Sequence, residues 1–542
     1  MTGAPATLER PTGRAGGPAL DELVELVLDV TESPIDAHAV AATLESQGLR
    51  DLDARERYGR VDIFDLAEAV HAACLARLEH APPPRRSGPP RAGLAGRARR
   101  SIGWYLQGAI FALPLGIQVA SLVGLDFSLW AFLGFTYLDA TAVALAVIVS
   151  SLVMSGFEQA IGFLAPGYAE EEKHTLARSV TLRIGGIALV VAVGFGLGLW
   201  LANASGAILP KRAFEIGLVY YALLCILELS FGIVYSLKHW PVLVISTVAG
   251  LIAVGLALEL SSLSIYAAHW LGISFAAAIA YAWCFGVLWR RSRAVTGELA
   301  LARLPSASVL IGSMAPRFAY GLLYSLLIFL DRLIAWSATD NQLSVPILFD
   351  TPYELGLDWA LVAVIPSLAL LQYSVMRFVT TIIPLQESFS ALSILEHNRH
   401  LTRLYGRQLL LLTAVTGAAV AACYWGMVWL GSFDQLAELG RVFADPVTRS
   451  VFVLAVGGYG ALVWGLLNGV FLFSLSRSKL VLRALAAGVI VSGTLGLYLS
   501  RALEYWYSAA GMAAGCLVFA TMTTWYALRV LREADYHYYA AY

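Results

Sequence analysis

Along most of the chain, polar residues fall in short clusters, and the apolar runs between them last about 20 residues or more, enough for a helix to cross a bilayer. This pattern predicts twelve spans, at about 102–124, 130–157, 180–203, 213–236, 241–260, 264–289, 308–336, 357–381, 406–430, 450–476, 480–500 and 505–530. The first 95 residues depart from it. Residues 1–17 are rich in Gly, Pro and Thr and are expected to be disordered. Over 18–79 the apolar positions follow helical spacing instead (Leu20, Leu23, Val24, Val27, Leu28), which predicts a small cytoplasmic helical region. Within it, Ser33-Pro34 reads as the start of a helix ending near Gly48. A short charged helix closes at Gly59, and Asp62 to Leu78 forms the last. Residues 80–100 form a Pro-rich linker with a basic end.

The basic connector 290–307 divides the spans into two lobes of six, 101–289 and 308–531, followed by a tail, 532–542. Each lobe has an even number of spans, so both enter from the same side and would be related by an axis along the membrane normal. The first span of each lobe carries polar residues. In span 1, Gln107, Pro114 and Gln118 share a face, and Pro114 is expected to bend the helix. In span 7, Ser313, Arg317, Tyr320, Tyr324 and Asp331 share a face. A charge facing lipid costs several kcal/mol, so this stripe is expected to face protein or a water-filled path. In the alternative it is a packing stripe whose terminal pair, Asp331-Arg332, snorkels to the interface. Asp139 in span 2, Glu228 in span 4 and Arg377 in span 8 complete the ionisable candidates within spans. For each, a structural ion pair competes with a transport role. Tyr320 and Tyr324 suit sliding contact with sugar rings or, equally, helix packing.

Composition narrows the class. Of 542 residues 58% are hydrophobic and 14% charged, against roughly a quarter charged in soluble domains. The formal net charge is −1, which gives no reason to expect nucleic acid as a partner. Five cysteines, mostly inside apolar runs, read as free buried thiols rather than a disulfide or metal framework. Arginine and lysine crowd the loops on one side (Arg97, Arg178, Arg290, Arg403, Arg483, Arg529), which places both termini in the cytoplasm by the positive-inside rule. Two long cytoplasmic connectors are expected, Gly156 to Arg178 and an amphipathic surface helix over Pro384 to Gln408. No Walker A loop, HExxH or GxSxG occurs, so no catalytic residue, cofactor or metal is assigned.

The block 308–381, with LLIFLDRLIAW, then FDTP, then VIPSLALLQYSVMRFV, resembles the membrane exporter of the Pel exopolysaccharide system, a branch of the multidrug/oligosaccharidyl-lipid/polysaccharide (MOP) flippase superfamily. Asp331-Arg332, Asp350 and Pro366 carry the resemblance, as does FEQAIGFLAPGYAEEEKHTL after span 2. It implies export of a growing or lipid-linked glycan beside a cytoplasmic glycosyltransferase and other membrane subunits, with no cofactor. The region 18–79 lies outside it.

The expectation is an all-α polytopic membrane protein with two six-helix lobes around a central cavity. It would export a polysaccharide or its lipid-linked precursor across the cytoplasmic membrane. Three rivals remain: a proton- or sodium-coupled drug or cation antiporter of the same fold, a membrane glycosyltransferase, and a non-transporting scaffold.

Overall fold

The computed structural model describes residues 18–31, 34, 36–80, 94–206, 208–294, 304–338, 345–387, 394–430, 444–475 and 477–532. Outside them lie the segment expected to be disordered (1–17), most of the Pro-rich linker and the tail beyond 532, together with parts of the basic connector, the outer loop before span 8 and the expected surface helix over Pro384 to Gln408.

The chain forms two compact units. The smaller contains α1 (Pro18–Thr31), α2 (Ala37–Ser46), α3 (Asp51–Tyr58) and α4 (Ile63–His80). Leu23, Val24 and Val27 of α1 meet Val40 and Leu44 of α2 and Leu66, Val70 and Cys74 of α4 in a core of their own. The second helix starts later than Ser33-Pro34 predicts. Its N-cap is Asp36, whose carboxylate accepts the Ala39 amide at 2.7 Å. Gly48 and Gly59 end α2 and α3 with positive φ.

The larger unit holds the membrane helices. They are α5 (Leu94–Leu125), α6 (Tyr137–Glu170), α7 (His174–Gly206), α8 (Lys211–Ser236), α9 (Pro241–Leu260) and α10 (Ile265–Arg293) in lobe 1, and α11 (Ala307–Trp336), α12 (Thr351–Glu387), α13 (Ile394–Leu430), α14 (Pro446–Ser474), α15 (Ser478–Ala502) and α16 (Ser508–Arg532) in lobe 2. Eleven are long and apolar enough to cross a membrane, and the bent pair Ala98–Ile110 and Ala112–Leu125 makes a twelfth. The bend is 51° and begins at Ile110, four residues before Pro114, where the proline ring displaces a helical carbonyl.

Two boundaries move. Span 2 was expected over 130–157, but α6 runs from Tyr137 to Glu170 because Phe157, Ala160, Ile161, Leu164 and Ala165 continue its buried face. The expected connector from Gly156 therefore shrinks to a turn around Glu172, whose φ is 61°. Span 8 begins earlier than 357, at Thr351, because Asp350 accepts the Tyr353 amide at 3.0 Å in front of Pro352.

Each lobe has its own core, one centred on α6 and α8, the other on α11, α12, α14, α15 and α16. Small residues bring helices to backbone contact. In lobe 2, Gly488 and Gly496 of α15 meet Gly515 and Gly511 of α16. The lobes join along two seams. Gly321 of α11 lies on the Ser155 carbonyl of α6, and Gly108 of α5 lies on Ala369 of α12. The segment before α12 bridges both lobes. Its Phe349 amide donates to Thr141 Oγ1 of α6 at 2.9 Å, Phe349 packs on Trp336 of α11, and Val345 joins Ala142 and Ala213.

Candidate functional site

The C-terminal end of α11 and the start of α12 hold a buried ionic network. Asp331 and Arg332 are 0% and 5% exposed. They do not snorkel, because α12 supplies partners inside the lobe. Arg332 Nε donates to Glu354 Oε2 at 2.8 Å, and Asp358 approaches its Nη2 at 3.8 Å. Trp336 Nε1 donates to the other Glu354 oxygen at 3.1 Å. Asp331 Oδ2 accepts the Tyr353 hydroxyl at 2.7 Å, and that hydroxyl accepts from Ser508 of α16 at 2.9 Å. Asp350 ties the network's edge to Tyr505 at 3.1 Å, and burial raises its carboxyl above the usual aspartate range. Acidic residues 350, 354 and 358 recur every four positions on α12. Glu354 escapes a reading that leaves it in the outer loop; the Asp-Thr-Pro helix start is the signal that finds it.

Lobe 1 holds a different cluster. Glu228 of α8 lies across from α6, where Ser150 and Ser151 donate to its Oε1 at 3.2 and 2.7 Å. Its Oε2 is buried without a partner. Glu158 of α6 packs its side chain against Gly232, one turn along α8 from Glu228. Among the described residues neither carboxylate has a basic partner. Glu158 falls outside span 2 when that span is ended at 157.

The inner half of α11 presents Arg317, Tyr320 and Tyr324. Arg317 lies over the Phe163 ring of α6 at 3.6 Å, with one long contact to its own helix, the Ser313 carbonyl at 3.5 Å. Tyr320 and Tyr324 stack on each other at 6.1 Å, and Tyr320 meets Phe473 edge-on at 5.1 Å.

Other sequence candidates sit elsewhere. Asp139 lies in the first turn of α6, half-buried, with its carboxylate accepting the Thr136 hydroxyl at 2.6 Å. The later start of α6 accounts for this. Gln118 turns outward, and its Oε1 accepts the Leu129 amide of the following loop at 3.3 Å. Gln107 is half-buried on α5, next to the Gly108–Ala369 contact. Arg377 is exposed on α12, at the end of the stretch Thr351–Phe378 that is long and apolar enough to cross a membrane. Asn468, by contrast, binds helices together: it accepts from Tyr405 at 2.7 Å and donates to Thr524 at 2.9 Å.

The backbone is similar to that of solved transporters. A point mutant of the Vibrio cholerae MATE transporter VcmN is 16% identical, with a TM-score of 0.55 over 82% of this chain and 99% of that one. The bent form of VcmN is 14% identical at a TM-score of 0.53, over the same shares. A MOP superfamily transporter from Pyrococcus furiosus is 13% identical at 0.51, over 80% of this chain and 95% of that one. No family model and no curated protein matches the sequence. The chain is thus a multi-pass all-α membrane protein with the fold of the MATE and MOP transporters.

Proposed function

We propose that this chain is a transporter of the cytoplasmic membrane that moves a glycan, as a growing polymer or a lipid-linked unit, from the cytoplasmic to the outer face. The observation that carries the transport reading is the pair of lobes meeting along two seams, α6–α11 and α5–α12, with small residues at each. Such seams let one lobe rock on the other around a site between them. The glycan rests on the Pel-like block 308–381. Its charged residues, Asp331, Arg332 and Asp350, sit in the tightly bonded outer half of lobe 2 and hold that lobe rigid. Tyr320 and Tyr324 offer stacked ring faces to sugars. A cytoplasmic glycosyltransferase and other membrane subunits are the partners this reading expects, with both termini in the cytoplasm.

Expression of the full chain in its host, against a deletion strain, tests the reading through the amount of surface glycan. Loss of the glycan on deletion and its return on complementation are expected; an unchanged glycan would sink the proposal. A second reading has its own support. The Glu158–Glu228 pair, buried without a cation, suits binding and release of a proton or sodium ion. In an antiporter it would drive efflux of a cation or drug. Everted vesicles distinguish the two: ethidium efflux that follows an imposed pH or sodium gradient, with no change in surface glycan on deletion, selects the antiporter.

A further inference from the structure

The helices α1–α4 take no part in the transport reading, yet they carry a strong charge asymmetry. Residues 18–80 hold 14 Asp and Glu against 5 Arg and no Lys, a formal net charge of −9. The whole chain sums to −1, so the remainder is net basic. Four of the five arginines already meet acids: Arg50 and Arg57 meet Asp53, Arg60 meets Asp65 and Arg77 meets Glu25. The fifth, Arg55, donates its Nε to the Val61 carbonyl at 2.6 Å. Asp36, Glu56 and Glu68 are exposed, and among the described residues none of the three is in an ion pair.

The same helices leave large apolar side chains in the open. Leu52, Val61 and Phe64 are 55%, 69% and 53% exposed, while the neighbouring Ile63 and Leu66 are enclosed. The three come together where α3 meets the start of α4. Asp51 accepts the Ile63 amide at 2.9 Å and Arg55 holds the Val61 carbonyl, so the face of α3 that bears Leu52 and Arg55 lies beside Val61. Phe64 follows in the first turn of α4, and its ring meets that of the exposed His38, at the start of α2, at 5.9 Å. Acids frame the patch. Glu56 is one turn from Leu52, Glu68 one turn from Phe64, and Asp36 caps the helix that carries His38.

Contiguous exposed apolar side chains with a polar rim mark a surface that another molecule covers. An anionic rim repels lipid phosphates and nucleic acid and attracts a cationic partner. A second copy of these helices would bring −9 against −9. The chain's own basic linker lacks the apolar half of the match: residues 81–93 are Ala, Pro, Arg, Ser and Gly, with no large side chain to cover Phe64. The described residues of this unit form no strand to which an extended peptide could add. A helix with apolar residues at i, i+3 or i+4 and i+7, flanked by Lys or Arg, meets both the patch and its rim.

We propose that Leu52, Val61, Phe64 and His38 form a docking surface for a basic amphipathic helix of another protein. The inference goes beyond the transport reading and does not depend on it.

The test places a photo-cross-linking phenylalanine analogue at position 64 of the full-length chain, expressed in its own host, and irradiates intact cells. Mass spectrometry of the adduct then reads the captured peptide. The expected adduct is with a net-basic segment of another protein that is apolar at helical spacing. The same analogue in place of Glu25, which pairs with Arg77 about 20 Å along α4 from Phe64, should not give it. A synthetic peptide of the captured segment should bind the purified full-length protein saturably in neutral detergent at low salt. Phe64→Ser and Val61→Ser should each weaken that binding by roughly tenfold or more. Both side chains are exposed, so the fold should survive, and thermal unfolding checks it. Joint replacement Glu56→Gln and Glu68→Gln should flatten the salt dependence of binding. An adduct with lipid, with a second copy of this chain or with a segment lacking net positive charge would overturn the proposal. So would the absence of any adduct, or a peptide affinity unchanged in both Ser variants.

Discussion

The two lobes bury acids in opposite ways. In lobe 2, Glu354, Asp358 and Asp331 surround Arg332, and Trp336, Tyr353 and Ser508 supply further hydrogen bonds. Removing Glu354 strands the Arg332 charge in a low-dielectric interior. In lobe 1, Glu228 accepts two serine hydroxyls and Glu158 packs against Gly232 one turn away, with no cation beside either among the described residues. A carboxylate held only by hydroxyls can take up a proton or a small cation and release it without dismantling its surroundings. One network is therefore built to stay and the other to change, although both consist of the same residue type at membrane depth.

Breaking the permanent network should have the largest effect. Glu354→Ala leaves Arg332 buried without its main partner and should cost about 3–5 kcal/mol, visible as a lower unfolding temperature and a poor yield of the solubilised protein. Wild-type stability in that variant would contradict the structural role assigned to lobe 2. Next comes the seam between the lobes. Gly321→Ala places a methyl group on the Ser155 carbonyl and should cost about 1–3 kcal/mol, with transport reduced by a misfitted α6–α11 contact. Glu228→Gln keeps an acceptor for Ser150 and Ser151 and should change stability by less than about 1 kcal/mol. It should nonetheless remove any proton or sodium dependence of transport in vesicles. Retained ion dependence would take the switching role away from lobe 1. The smallest effect belongs to Asp350. Burial raises its carboxyl, so the protonated form favours the fold. That contribution is complete below the ordinary aspartate range and is lost as pH rises through the raised value. Asp350→Asn should flatten this part of the acid stability profile while an amide oxygen still caps α12, and a profile identical to wild type would refute it.

The all-α class and the spans are legible in hydropathy alone, because each span must satisfy its own backbone in lipid and so repeats one length. The bend in α5 is equally legible, since Pro114 acts on its own helix. Positions that depend on where a helix starts are less so. Asp139 reads as buried when span 2 begins at 130, and becomes a capping residue once Thr136 opens α6 at Tyr137. Glu158 and Glu354 were hidden for the same reason, one just past an expected end and the other just before an expected start. The span 7 stripe is real as a set of helix positions, but the partners of its members are not legible from it. One oxygen of Asp331 is held by Tyr353 while its other oxygen is buried without a partner, and Arg317 likewise keeps a donor unused. A helical wheel gives direction and not partners.

The bridge formed by Phe349 on Thr141 has a consequence for timing. The lobes cannot part here while that amide, the Phe349 ring on Trp336 and Val345 beside Ala213 all hold. Their release is a small local event, one backbone hydrogen bond and two apolar contacts, set beside the far larger cores that stay intact. Under the proposed transport function the short segment 345–350 would act as an escapement: it would time the parting of the lobes at this end, while the seams would limit how far it goes.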